Sequence, residues 1–196
     1  MLTPPLSPAL VQRIEQSDLD YTRSRLAGMG QAAGNPLKIE MRTFGQAAAF
    51  LIQAWPDFWY GNKVLGLGPA DAHRVGEIAA YFRRHELPFR FELAPQAINA
   101  ELGTQLHRQG FCQMGFNAAV YGRPAASIEP APSSAVEVTE VGPDELDLFW
   151  DLYQDGFGLA HLTAAERAAV RGWAAGEARD LYLCMARING MPAGVG

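Results

Sequence analysis

The sequence is poor in cysteine and has no long apolar run. Its two cysteines, Cys112 and Cys184, lie far apart within segments expected to be strands, so two buried thiols are a better expectation than a disulfide. That usage suits a reducing cytoplasm. The N-terminus lacks a basic start followed by an apolar stretch, and no run of about 18 apolar residues occurs. We therefore predict neither secretion nor a membrane partner.

Positive charge is also scarce. The formal net charge is −5, and no dense run of lysine and arginine occurs anywhere in the chain. Binding to a phosphate backbone depends on such runs, so nucleic acid is not an expected partner. The histidines lack metal-ligand spacing with one another and with the cysteines, and no metal site is predicted. These histidines are His73, His85, His107 and His161.

The chain contains enough apolar residues to form a packed core. Of its 196 residues, 48% are hydrophobic and 10% are aromatic. This length and composition fit one large or two small globular domains.

The stretch from Phe58 to Tyr121 organises the first half. It has the pattern strand, glycine turn, helix, strand, helix, strand. The segment from Phe89 to Leu93 alternates as a half-buried strand does, and Pro95 closes it. A strand, a crossover helix and a returning strand predict a parallel pair within a mixed sheet. Apolar residues recur at helical spacing along the first helix of this stretch: Val75, Ile78, Ala79 and Phe82.

Upstream, a helix is expected to start at Pro8 with Ser7 as its cap and to end among glycines near Gly30. A strand follows over Leu37–Met41. The run Gln46–Ala54 is ambiguous, because its alanines favour a helix while its short length and its flanking glycine and proline favour a strand. We predict a strand there.

The composition changes between Gly122 and Ser134, where proline, serine and alanine replace apolar bulk. This segment predicts a stiffened linker. The predicted organisation is a first module over 1–122, a linker over 123–134 and a second module over 135–196. The second module is expected to start with a strand over Val136–Val141 and a helix from Asp144, in which Leu148, Leu152 and Phe157 recur at helical spacing. A second helix is expected over Ala164–Ala175, with Thr163 and Glu166 as a capping box. A hairpin that turns through Asn189 and Gly190 follows.

This arrangement resembles a GNAT-superfamily N-acetyltransferase repeated in tandem. The resemblance lies in a strand ending in Gly66-Leu67-Gly68, a strand closed by Pro95, a helix running into Gly110-Phe111, and the final hairpin LYLCMARINGMPAGVG. It implies an α/β (α+β) class and the acyl-CoA N-acyltransferase fold, with a mixed β-sheet flanked by helices and a second, partial module. It also implies acetyl transfer from acetyl-CoA to a primary amine of a small molecule or peptide.

In the family, a loop with the signature Gln/Arg-x-x-Gly-x-Gly/Ala follows the strand that resembles Met191–Gly196 and holds the coenzyme A pyrophosphate. We expect the sequence to be cut short before that loop, with the second module as the active half. The open strand edge at that end makes a homodimer an expectation too. With Gly76 as the first glycine of the signature, the first module has His73 in place of Gln or Arg and Ile78 in place of Gly or Ala. It also has Leu106 where a tyrosine acid often lies. The alternative is therefore a non-catalytic GNAT-like binding or dimerisation module.

Candidate site residues follow from the same resemblance. The turn and helix start would bind the cofactor, although a tight turn with Asp71 as an acidic cap explains them as well. Glu92 would be the general base, or simply an outward-facing strand carboxylate. An aromatic and acidic helix would contact the amine, or form a packed and solvated face. The predicted residues are Gly66, Leu67, Gly68, His73 and Gly76 for the cofactor, and Trp150, Asp151 and Tyr153 for the acceptor.

Overall fold

A computed structural model describes residues 6–58, 61–119, 135–175 and 182–196. The chain is a mixed α/β protein with two sheets. Its helices are α1 (Pro8–Gly30), α2 (Val75–Arg84), α3 (Ala100–Arg108), α4 (Leu146–Gly156) and α5 (Ala164–Ala175). Its strands are β1 (Ile39–Phe44), β2 (Ala47–Ile52), β3 (Lys63–Leu65), β4 (Arg90–Phe91), β5 (Val136–Glu140), β6 (Cys184–Ile188) and β7 (Met191–Val195).

The first sheet has the strand order β1-β2-β3-β4. The first three strands pair antiparallel, whereas β3 and β4 are parallel with Val64 opposite Phe91. Helix α2 forms the crossover between them, so the predicted strand–helix–strand unit is confirmed. This helix begins at Val75 rather than near Asp71, because Pro69–Arg74 form a 3-10 turn.

Strand β2 confirms the strand prediction for the ambiguous alanine-rich run. All six of its side chains are buried, because both faces of the sheet are covered. Ala49 and Leu51 pack toward α2, while Phe50 and Ile52 pack toward α1. A strand covered on both faces reads as a continuous apolar run, which is why alternation was missing from its sequence.

Capping groups fix the ends of the helices as the sequence indicates. The Ser7 hydroxyl accepts a hydrogen bond from the Leu10 amide at 3.2 Å. In the capping box of α5, the Thr163 amide donates to the Glu166 carboxylate at 2.8 Å and the Glu166 amide donates to the Thr163 hydroxyl at 3.3 Å. The Thr163 hydroxyl and the Thr163 amide both donate to the Glu166 carboxylate, and these two bonds hold its pKa below its usual value. Glu166 also accepts a bond from the Trp55 indole at 3.2 Å, which ties α5 to the loop after β2.

The second sheet, β5-β6-β7, is antiparallel throughout. Asn189 and Gly190 turn the β6–β7 hairpin with φ angles of 53° and 79°, as expected for an Asn-Gly turn. On α4, the predicted apolar stripe is confirmed at Leu152, which packs against the core, and wrong at Leu148 and Phe157, which are exposed. The core-facing side of α4 carries the buried rings of Phe149 and Trp150, which bury a large apolar area.

Helices α1 and α5 cross at two glycines. A Cβ added to Gly28 would lie 3.0 Å from the Gly172 carbonyl oxygen, and one added to Gly172 would lie 3.2 Å from the Gly28 oxygen. This close approach lets both predicted modules contribute to one apolar cluster. Its buried members include Leu26, Met29, Phe50 and Leu65 from the first and Phe149, Trp150, Val170 and Met185 from the second.

The predicted final strand of the first module is wrong over residues 111–119. These residues form no strand, and Met114 and Phe116 are 90% and 88% exposed. The segment departs from β4 after Phe111 and has no strand beside it within the described chain. Cys112 is therefore exposed rather than buried, and neither cysteine forms a disulfide. Residues 120–122 and the linker prediction for 123–134 lie outside the described residues.

None of the helices in the described ranges combines the length and the apolar character needed to cross a membrane.

The glycine crossing predicts opposite effects of one methyl group at two helical glycines. Gly28→Ala places a Cβ against backbone atoms of α5, and we expect a loss of about 1–3 kcal/mol in the free energy of unfolding from overpacking. Gly103→Ala in α3 meets no atom within 4 Å, and we expect a gain of about 0.5–1 kcal/mol. Urea unfolding of both variants measures this difference. Equal stabilities would contradict the crossing.

Candidate functional site

The carboxyl ends of β3 and β4 lie side by side at one edge of the first sheet. The turn Gly66–Gly68 follows β3, and Glu92 follows β4 directly, with its amide bonded to the Val64 carbonyl at 3.0 Å. In open α/β sheets, ligands bind beyond the carboxyl ends of parallel strands. The cofactor and base predictions both fall at this edge.

The turn after β3 requires glycine at its start. Gly66 has a φ angle of +74°, and a Cβ there would lie 3.1 Å from the Gln46 carbonyl oxygen. Leu67 is buried, so its side chain packs in the core and cannot face a ligand. Gly68 differs from both, because an added Cβ would meet no atom within 4 Å. The backbone of Gly68 is therefore the open part of the turn.

Asp71 joins the 3-10 turn to the β1–β2 hairpin instead of capping its own helical turn. Its buried carboxylate accepts hydrogen bonds from the Gln46 amide at 2.8 Å and from the Arg74 guanidinium at 3.2 Å. It occupies the space where a Gly45 side chain would lie, at 1.9 Å from the added Cβ. Because Arg74 offsets its charge, Asp71 repels an anion at the turn less than an unpaired carboxylate would.

The remaining cofactor candidates do not converge on the turn. His73 is exposed in the 3-10 segment. Gly76 lies in the first turn of α2, where an added Cβ would contact the Gln109 side chain at 3.4 Å, at the end of α3. Gly76 thus faces the end of α3, and of the five predicted residues Gly68 has the environment that best fits a ligand.

Glu92 is held by two cations. Its carboxylate pairs with Lys63 at 3.4 Å and closely with the Arg90 guanidinium, and the three side chains are mostly buried. Both partners hold the carboxylate in ion pairs within the sheet. The environment of Glu92 is thus that of a structural carboxylate more than that of a general base.

Glu15 on α1 is near enough to this cluster for the Glu92 charge to act on it. Burial raises the pKa of the half-buried Glu15 carboxyl, and the charges of Asp18 and Glu92 add to the rise. A carboxyl with a raised pKa is a candidate acid–base group. Sequence reasoning missed Glu15, because its spacing on α1 does not show that the Glu92 charge lies within reach.

A second polar cluster links β1 to the end of α2. The Tyr81 hydroxyl donates to the Glu40 carboxylate at 2.6 Å, and the Gln53 amide donates to the same carboxylate at 3.3 Å. His85 lies 3.8 Å from Glu40. Burial and the bond to Glu40 raise the pKa of Tyr81 well above its usual value. No sequence motif marked this cluster, since its partners are 41 positions apart.

The acceptor residues predicted on α4 do not form one surface. Trp150 is only 3% exposed and packs against the Tyr153 and Trp173 rings at 5.5 and 6.0 Å. A contact between Trp150 and an amine would therefore require the core to open. Asp151 is exposed and pairs with Arg171 at 3.5 Å. Tyr153 is half-buried beside both tryptophans.

Within the described parts of the chain, no group of three or more acidic, histidine or cysteine side chains could hold a metal ion. No family model, curated protein or solved structure matches this chain. The GNAT resemblance therefore stays a prediction that rests on its own residues.

The Tyr81–Glu40 bond predicts a specific pH response. Tyr81→Phe removes a hydrogen bond to a charged group, and we expect a loss of about 1–2 kcal/mol in unfolding free energy at pH 8. Above pH 10, near the ordinary tyrosine pKa, the unfolded chain releases a proton that the native state keeps, so wild-type stability falls as pH rises.

The Tyr81→Phe variant should lack this part of the loss of unfolding free energy at alkaline pH. Urea unfolding between pH 8 and 11 measures it, with Tyr182→Phe at an exposed tyrosine as the control. Parallel pH curves for wild type and Tyr81→Phe would contradict the role of the bond.

Proposed function

We propose that this chain carries the scaffold of an acetyl-CoA-dependent N-acetyltransferase of the GNAT superfamily, with a primary amine as acceptor. The observation that carries the proposal is the parallel β3–β4 pair bridged by α2, with a glycine turn at the carboxyl end of β3. That edge is where ligands bind in related sheet architectures. A cytoplasmic location is part of the proposal and is supported by the two free cysteines.

The second half supports the tandem interpretation. It runs in the order β5, α4, α5, β6, β7, which is the strand, two helices and hairpin that the resemblance implies for the start of a GNAT domain. Fold similarity alone does not assign an activity, so the proposed function depends on the residues at the carboxyl ends of β3 and β4.

Acetyl transfer needs three contributions from the protein. The amine must be held against the thioester carbonyl, the developing oxyanion needs N–H donors, and a base must remove the ammonium proton. The open backbone at Gly68 supports a role in approach to the cofactor. Glu15 is better suited than Glu92 to the proton transfer, because its pKa is raised while Glu92 is ion-paired.

A second candidate function is a non-catalytic GNAT-like binding or dimerisation module. The ion pairs of Glu92 favour it, as do the burial of Leu67 and the packing of Gly76 against the end of α3. In that case the edge of the sheet is a structural element and acetyl-CoA does not bind it.

A thermal-shift titration with acetyl-CoA distinguishes the two candidates. A ligand that binds only the native state at a hundredfold excess over its Kd adds about 2.7 kcal/mol of stability, so we expect a clear rise in Tm. Gly68→Val should abolish the rise, because a side chain there shields the open backbone.

Gly142→Val is the matched control for that variant. Gly142, like Gly68, is an extended glycine directly before a proline-started 3-10 turn, and neither has an atom within 4 Å of an added Cβ. The control should keep the full ligand response. An unchanged wild-type Tm in millimolar acetyl-CoA would favour the non-catalytic module.

Substitution of the two carboxylates tests the base assignment. Glu15→Gln should lower kcat by about 100-fold and remove the rise of activity with pH, because it deletes the proton acceptor. Glu92→Gln should lower stability more than kcat, since it removes the carboxylate charge that pairs with Lys63 and Arg90. Release of free coenzyme A thiol with polyamines and lysine peptides reports the rate. Loss of activity in Glu92→Gln alone, at native stability, would restore Glu92 as the base.

A further inference from the structure

Residues 111–119 leave the fold as an exposed, uncharged segment with the pattern of a strand. Every residue from Cys112 to Ala119 is exposed. Apolar side chains alternate with polar or small ones: Met114, Phe116 and Ala118 against Gln113, Gly115 and Asn117. Alternation of this kind is typical of a half-buried strand, and the absence of charge leaves nothing to oppose pairing.

The segment starts beside an open sheet edge. The Phe111 ring packs against Phe91 of β4 with ring centroids 4.9 Å apart, and the Phe111 amide bonds to the Leu106 carbonyl at 3.0 Å. Gly110, with a φ angle of +83°, turns the chain just before it. The strand and the edge that it could join are therefore neighbours in sequence and in space.

Strand β4 has backbone groups directed away from β3. The Arg90 and Glu92 amides donate to the Asn62 and Val64 carbonyls at 3.2 and 3.0 Å. Because successive residues of a parallel strand direct their peptide groups to opposite sides, the N–H and C=O of Phe91 face the outer edge. The sheet order ends at β4, so no strand of the described chain covers that edge.

We propose that residues 113–119 add as a strand to the β4 edge of a second copy of this chain. Each copy has a β4 edge that no strand of the described chain covers, and each copy has an exposed strand-like segment. A two-fold axis satisfies both at once, since each copy donates its segment and receives the other, and the assembly then closes as a dimer. Pairing would bring Phe116 of one copy near the Phe89–Phe91 aromatic group of the other.

The occupant is a second copy because the chain itself offers a complementary pair of surfaces. Within one chain, the segment turns away from its own β4 and leaves Met114 and Phe116 almost fully exposed. Exposed edge strands and strand-like segments of this type pair readily between chains. The proposed exchange uses the outer side of β4 and does not depend on acetyl-CoA binding, which concerns the turn after β3.

Sedimentation equilibrium and photo-crosslinking of the full chain test the proposal. We expect the mass to rise from monomer to dimer as concentration increases. With p-benzoylphenylalanine in place of Phe116, an equal mixture of ¹⁴N- and ¹⁵N-labelled copies should give crosslinks of mixed isotope to the strand that contains Arg90 and Phe91. A monomer at every concentration overturns the proposal. So do crosslinks that reach β4 only within a single copy, or that join two copies elsewhere.

Matched variants separate strand exchange from general hydrophobic association. Phe116→Asp should raise the dimer dissociation constant at least about tenfold, because it puts a charge into the paired strand. Gly115→Pro should do the same by removing an amide donor, and an added Cβ there meets no atom within 4 Å. Phe157→Asp, at an exposed aromatic on α4, should leave the constant unchanged. Equal effects of the Phe116 and Phe157 substitutions, with unfolding curves intact, would contradict exchange through this segment.

Discussion

The approach of α1 to α5 at Gly28 and Gly172 determines how the two halves of the chain share a core. With backbone oxygens about 3 Å from where either Cβ would lie, no larger residue fits without displacing a helix. The aromatic residues of α4 and α5 can then reach the apolar side chains of α1 and β2. Arg25 lies over the Trp173 ring at 4.8 Å beside this contact. Helices and strands of both halves thus contribute to one apolar core.

The same contact positions the candidate site. Helix α1 is continuous from Pro8 to Gly30, so fixing its end against α5 also fixes Glu15, about 20 Å away along the axis. That placement brings the Glu15 carboxyl near the Glu92 ion pairs at the end of β4. The position of the Glu15 carboxyl relative to Glu92 therefore depends on packing between α1 and the second half of the chain. A site of this kind gains rigidity from helices that do not touch the ligand.

Local patterns predicted most elements, and contacts distant in sequence explain the failures. Capping residues at Ser7 and Thr163 and the Asn189–Gly190 turn act within a few residues, so their signals are complete in the sequence. The burial of Trp150 and the exposure of Phe157 depend on which face of α4 meets α1 and α5, and spacing alone does not specify that face. Likewise, no residue near Glu92 in sequence reveals Glu15, and Lys63 reaches it only through strand pairing.

Strand β4 of the first sheet has polar side chains on one face and aromatic side chains on the other. On one face of β4, the Glu92 carboxylate pairs with both Arg90 and Lys63, so these partly buried charges have partners. On the other, Phe91 makes edge-to-face contacts with Phe89 and Phe111. A strand of only two residues is thus fixed by side chains on both faces while its outer backbone groups face away from β3. Because side-chain contacts and not a long ladder hold β4, its edge can accept another strand without rearrangement of the sheet.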